Sequence, residues 1–149
     1  MFAGSGRSRG RVLVIDDEPA LRLLCNVNLT LAGFIVDEAE SGREGVARAH
    51  EHRPDLILLD MMLPEFDGHA VVHALRADPA FADIPVVFLS ARTAPEDIRD
   101  AYREGAVDYI TKPFDPVDLA ERVGDVLERV RAGGADEFRH AQLARLGLL

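Results

Sequence analysis

Five short apolar runs alternate along the chain with longer stretches whose apolar positions recur every three or four residues. The runs are Arg11–Ile15, Phe34–Glu38, Leu56–Leu59, Pro85–Leu89 and Val107–Ile110. The first, third and fourth are almost continuously apolar, as a strand must be when both faces of its sheet are covered. The stretches between them carry helix punctuation. Asp17 before Glu18-Pro19 predicts a cap with proline in the first turn. Ser41 with Glu44, and Thr93 with Glu96, match the capping-box spacing. Asp115 and Pro116 open the last long helix, where Leu119, Val123, Val126 and Val130 form one apolar stripe. Gly33, Gly105 and Gly133 follow three helical segments, where a left-handed residue is often needed.

Five strand-then-helix units predict an α/β domain: a doubly wound, five-stranded parallel sheet with five flanking helices. The expected strand order is 2-1-3-4-5, as in flavodoxin-like folds, with ligands bound at the carboxyl ends of the strands. The domain is expected over residues 11–131, with a flexible arm over 1–10 and a tail over 132–149. Ala132-Gly133-Gly134-Ala135 reads as a hinge, and the tail after it either as a short mobile or loosely packed segment or as a weak short helix whose few apolar groups dock on the body or on a partner.

Composition narrows the function classes. The chain has 149 residues and a formal charge of −9, and three of its 17 basic residues are Arg7, Arg9 and Arg11, so the body is more acidic still. Such a surface repels nucleic acid phosphates, and no direct nucleic-acid contact is expected. No apolar run approaches a membrane span, and the first ten residues hold no signal peptide, so the expectation is a cytoplasmic protein without membrane attachment. Cys25 is the one cysteine and sits among leucines, where it reads as a small buried hydrophobe.

Four polar features sit where strands end. Asp16 and Asp17 follow the first run, Asp60 the third, Ser90 the fourth, and Lys112 lies just past the fifth. On the expected sheet they share one edge. Carboxylates brought together raise one another's pKa values, and a hard divalent cation such as Mg²⁺ relieves this through its preference for oxygen ligands. A lysine supplies a compact charge for phosphate oxygens and a hydroxyl supplies a hydrogen bond. The set suits phosphoryl transfer, in which a carboxylate can be the nucleophile. Spacing alone does not decide which carboxylate accepts. Asp60 is the only acidic residue ending the central run, and the loop Met61–Gly68 after it contains breaker residues.

The segments VLVIDDEPALR, PDLILLDMMLPEFDG, IPVVFLSA and GAVDYITKPF resemble the signature regions of response-regulator receiver domains, in order and spacing, over about residues 11–131. The resemblance implies that Asp60 is phosphorylated by a phosphohistidine donor, either a histidine kinase or a histidine phosphotransfer protein. It implies direct Mg²⁺ ligation by Asp17 and Asp60, help from Asp16 through water, and a ligand from the Met62 backbone carbonyl. Ser90 and Lys112 would hold the phosphoryl oxygens, and Tyr109 would turn inward as Ser90 moves. The Lys112–Pro113 bond would be cis. Such a protein is a switch that catalyses its own phosphorylation and dephosphorylation rather than a turnover enzyme. Met62 and Arg92, two residues after Asp60 and Ser90, would flank the route of the hydrolytic water, and an apolar Met62 would slow the loss of phosphate.

Competing readings differ in what they predict. No second domain follows in the sequence, so a stand-alone receiver acting through an unknown downstream protein is expected first. The alternative is the receiver module of a DNA-binding transcription regulator, in which phosphorylation pairs two copies through the fourth helix, fifth strand and fifth helix. A haloacid-dehalogenase-type phosphatase usually carries a second Asp two residues after its nucleophile, where this chain has Met62. A pseudo-receiver scaffold would not need the full set of acidic, hydroxyl and lysine groups. The histidines His50 and His52, and the pair His69 and His73, read as surface residues with no matching ligand cluster.

Overall fold

The apolar runs become the strands of one parallel sheet, and the periodic stretches become the helices that cover it. The computed structural model describes residues 8–148. In chain order the elements are β1 (Arg11–Ile15), α1 (Pro19–Leu31), β2 (Ile35–Ala39), α2 (Gly42–His52), β3 (Leu56–Asp60), α3 (Gly68–Arg76), β4 (Val86–Ser90), α4 (Pro95–Arg103), β5 (Asp108–Thr111), α5 (Pro116–Arg131) and α6 (Ala135–Arg145). The strand order is β2-β1-β3-β4-β5 with every pair parallel, as expected. Among the described residues six helices are present where five were expected. The sixth is formed by the tail. Most of the expected arm, residues 1–7, lies outside the described residues. Arg9 is tied to the body by its N–H to the Gly33 carbonyl and by its guanidinium over the Phe34 ring.

Alternation along the strands divides the core in two. Leu13, Ile15, Ile57, Leu59, Val86 and Phe88 face one layer with Val71 and Leu75 of α3 and Ile98 of α4. Val12, Val14, Leu56, Leu58, Val87 and Leu89 face the other, with Cys25 and Leu29 of α1 and Leu119, Val123 and Val126 of α5. Both faces of β3 and β4 are therefore dry, which explains their unbroken apolar sequence. Phe88 is fully buried, and truncating such a side chain to alanine costs about 3–5 kcal/mol. Cys25 is buried as expected, and burial pushes its thiol up to about 12.

The helix starts differ in how they are capped. The Ser41 hydroxyl accepts from the Glu44 N–H while the Glu44 carboxylate takes the Glu40 N–H, and Asp115 accepts from the N–H groups of Val117 and Asp118. Two expected caps are not made. α1 begins at Glu18 without a side-chain cap, because the carboxylate that accepts the Glu18 N–H is Asp16, at 2.9 Å, rather than Asp17. α4 begins at Ala94, one residue beyond Thr93, with Pro95 in its first turn and no side-chain cap. Proline brings no N–H there, so one orphan donor is missing rather than satisfied.

The loop after β3 closes tightly. The Gly68 N–H donates to the Met61 carbonyl at 3.2 Å, and a Cβ on Gly68 would lie 2.8 Å from Met61 Cα and 3.0 Å from the Asp60 carbonyl oxygen. Only a residue without a side chain lets α3 start so close to the strand end.

Candidate metal and phosphoryl site

Sheet register brings the polar residues together. Ile15 pairs with Leu59, Asp60 with Leu89, and Ser90 with Thr111. Ladder bonds run one step further: Asp16 N–H donates to Ala39, Met61 N–H to Leu89 and Lys112 N–H to Ser90. Asp16, Asp60, Ser90 and Lys112 thus leave the sheet along the same carboxyl edge, as the sequence reading expected.

The carboxylates form a cluster. One oxygen from each of Asp16, Asp17 and Asp60 lies within 4.8 Å of the others, with Asp16 and Asp60 buried and Asp17 exposed. A set made wholly of carboxylate oxygens fits a hard divalent cation and not a thiophilic or imidazole-seeking one. Lys112 Nζ lies 3.0 Å from Asp16 Oδ2 and 3.4 Å from Asp60 Oδ2. Burial pushes the Asp16 carboxyl above its ordinary value and the nearby Asp60 charge adds to this, while the Glu18 N–H and Lys112 act the other way. For Lys112 burial favours the neutral amine, but the bond to Asp16 and the charges of Asp16 and Asp60 outweigh it, so the ammonium is held above its ordinary value. Three carboxylates against one ammonium leave room for further positive charge. These residues could hold a metal ion.

The acceptor loop and the β4 end are organised by hydrogen bonds. Met62 N–H donates to Asp60 Oδ1 at 3.0 Å, and the Met62 side chain is about half exposed. Ser90 is fully buried, and its Oγ accepts from the Arg92 N–H at 3.0 Å. Tyr109 is already turned inward at 4 % exposure, and its hydroxyl donates to the Arg92 carbonyl at 2.8 Å. The Lys112–Pro113 bond is cis, as the resemblance implied. Beside the acceptor loop lies an open cavity of about 310 Å³, lined by Met61, Met62, Leu63, Asp67, His69 and Arg92.

Several supporting residues were not singled out from sequence. Arg22 donates to the Asp16 carbonyl at 2.7 Å and to Glu38, fixing the loop that carries both aspartates. Asp108, fully buried, is held by Arg122 through bonds of 2.6 and 2.7 Å and by the Tyr102 hydroxyl at 3.2 Å. Neither had a local signal, because their partners lie on other elements. His50, His52 and His73 are exposed, as expected, with His50 also packed on Phe81 and bonded to Asp78, while His69 is half-buried and pairs with Glu104. Among the described residues, the aspartate cluster is the only group of three or more potential ligands. No described helix is long and apolar enough to cross a membrane.

Comparison with known proteins agrees with this geometry. A family profile described as the response regulator receiver domain matches residues 12–124. The chain is 45% identical over 119 residues to the DNA-binding dual master transcriptional regulator RpaA of Synechocystis sp., covering 80% of this chain and 49% of that protein. It is 38% identical to the phosphate regulon transcriptional regulatory protein PhoB of Pseudomonas aeruginosa, covering 84% of this chain and 55% of that one. The chain spans about half the length of the curated relatives it matches. Among solved structures, Vibrio cholerae chemotaxis protein CheY4 superposes with a TM-score of 0.74 at 32% identity, over 78% of this chain and 97% of that one. Names that specify DNA binding lend no support to the expectation that nucleic acid plays no part.

Proposed function

The chain belongs to the response regulator receiver family, and on that premise we propose that Asp60 accepts a phosphoryl group from a phosphohistidine donor and thereby switches the protein's contacts with a partner. The observation that carries the reading is the approach of Lys112 Nζ to both Asp16 and Asp60, inside a cluster of three carboxylates.

In this reading an Asp60 carboxylate oxygen attacks phosphorus. The bond from phosphorus to the donor's imidazole nitrogen breaks, and the electron pair stays on that nitrogen. Lys112 neutralises charge on the phosphoryl oxygens, and the Ser90 hydroxyl donates a hydrogen bond to one of them. Mg²⁺, bound by Asp17 and Asp60 with Asp16 acting through water and the Met62 carbonyl completing the protein ligands, would supply the remaining neutralisation. Hydrolysis returns Asp60 to the free carboxylate. Tyr109 responds to Ser90 as the switch. The donor is a histidine kinase or a histidine phosphotransfer protein, which assigns the chain to the cytoplasm.

Two outputs remain in play. The similarity to RpaA and PhoB favours the receiver half of a transcription regulator, with phosphorylation pairing two copies. The similarity to the chemotaxis protein CheY4 supports a receiver that acts through contacts with a partner protein. The assignment of Asp60 is common to both. It is tested by incubation with Mg²⁺ and acetyl phosphate followed by intact mass measurement. The wild-type protein gains one phosphoryl group and Asp60→Asn gains none; an unmodified wild type, or equal modification of the variant, refutes the assignment.

A further inference from the structure

Helix α6 is held on the body by few contacts. It has no buried residue and no side-chain cap, and it follows Gly133 at φ +83°, around which a Cβ would meet nothing. Eleven residues of helix are marginal in water without tertiary support. That support comes from both sides of the sheet's β5 edge. Leu143 and Leu148 pack toward Tyr102 and the α3–α4 layer, and Ala135 and Phe138 toward the α1–α5 layer, with the Arg129 guanidinium 5.4 Å from the Phe138 ring centre. The seam is incompletely filled: a cavity of about 380 Å³ lies between α4 and α6, lined by Arg99, Tyr102, Arg103, Arg139, Leu143 and Leu148.

One polar bond pins this helix to the sheet. Gln142 Nε2 donates to Asp108 Oδ1 at 3.1 Å, at the start of β5. Asp108 keeps Arg122, Tyr102 and the Tyr109 N–H as donors if Gln142 leaves, so release orphans no buried charge. The same strand connects to the phosphoryl site. Tyr109 follows Asp108 and its hydroxyl bonds the Arg92 carbonyl, while the Arg92 N–H bonds Ser90 Oγ. When the Ser90 hydroxyl donates its hydrogen to a phosphoryl oxygen, its Oγ turns toward that group, and the Arg92 N–H that donates to the same Oγ has to follow. The loop carrying the Tyr109 acceptor then has to move.

We infer that α6 is a displaceable strap which covers the α4–β5–α5 face in the unphosphorylated protein and is released when Asp60 is phosphorylated. The occupant of the face is this chain's own C-terminal helix, joined to it by the Gly133-Gly134 hinge. Its trigger rests on the Asp60 reading, whereas its docked state rests only on the contacts above.

Hydrogen exchange of the whole chain, read by mass spectrometry on peptides covering residues 132–148, tests it with intact mass measured on the same sample. With Mg²⁺ and acetyl phosphate, amide exchange in α6 rises by about tenfold while β1 and β3 stay protected, and Asp60→Asn shows no rise. Gln142→Ala loosens α6 without phosphate and takes up phosphate as wild type does. A sample that carries the phosphoryl group with α6 exchange unchanged overturns the strap and leaves the Asp60 reading standing. So does an α6 that exchanges freely in both states, or a Gln142→Ala protein indistinguishable from wild type. A sample that gains no mass removes the Asp60 reading, and the trigger falls with it.

Discussion

Lys112 and Asp16 are 96 positions apart in the chain, and their side chains meet at 3.0 Å across the carboxyl edge of the sheet. The contact orients the ammonium toward the acceptor while leaving Asp60, at 3.4 Å, open to chemistry. Replacing Lys112 by methionine keeps most of the stem and removes the charge. Phosphoryl uptake from acetyl phosphate is expected to slow by roughly a hundredfold, the scale seen when one preorganised charge-stabilising donor is removed. Initial rates of mass gain at saturating Mg²⁺ check this, and an unchanged rate would remove Lys112 from the mechanism.

Burial, with help from Asp60, holds the Asp16 carboxyl above its ordinary value of 3.8. Folded Asp16 therefore binds a proton more readily than the unfolded chain does. Its ionised form destabilises the metal-free fold at neutral pH, and the penalty fades as pH falls through the folded pKa toward 3.8. Asp16→Asn should raise the urea midpoint in metal-free buffer at neutral pH, with a smaller gain under mildly acidic conditions. The same variant should bind Mg²⁺ more weakly. Urea titrations at two pH values, with and without Mg²⁺, separate the two effects.

The half-exposed Met62 side chain lines the cavity beside the acceptor loop together with Arg92. A thioether orients water poorly, so phosphate on Asp60 should be long-lived. Met62→Asn is expected to speed its loss by about tenfold, equivalent to roughly 1.4 kcal/mol of barrier. The decay of the phosphorylated mass after donor removal measures it, and an equal half-life in the variant counts against the assignment.

Arg122 grips the fully buried Asp108 with two short bonds. Arg122→Met fills similar space but leaves the carboxylate without its ion pair. The expected loss is about 3–5 kcal/mol of stability, since a buried charge deprived of its partner retains its desolvation cost. Chemical denaturation gives the value directly, and a loss below about 1 kcal/mol would mean that water reaches Asp108.

Much of this is legible in the sequence. Strand periodicity located β1, β3 and β4 because strands buried on both faces have no polar positions, and a parallel sheet then aligns their ends. Asp16, Asp60, Ser90 and Lys112 needed nothing more than that alignment. The reading failed where a residue's partner lies on a distant element. Thr93 carried a capping pattern that Pro95 made unnecessary, and Asp17 gave up its expected cap because Asp16 points back at the Glu18 N–H. Gln142 and Asp108 are 34 residues apart, and nothing local in either segment marks their contact. The register that aligns a sheet can be inferred from pattern; a single hydrogen bond across two layers cannot.

The closeness of Gly68 to the backbone of Met61 and Asp60 sets a limit on how this protein can diverge. An added methyl group there would press from behind on the peptide that aims the acceptor, displacing it without touching any charged atom. In a saturation library scored by signalling output, Gly68 should be as intolerant as the aspartates themselves. Its alanine variant should fail by misdirecting the nucleophile, which makes this glycine an inheritance of geometry rather than of chemistry.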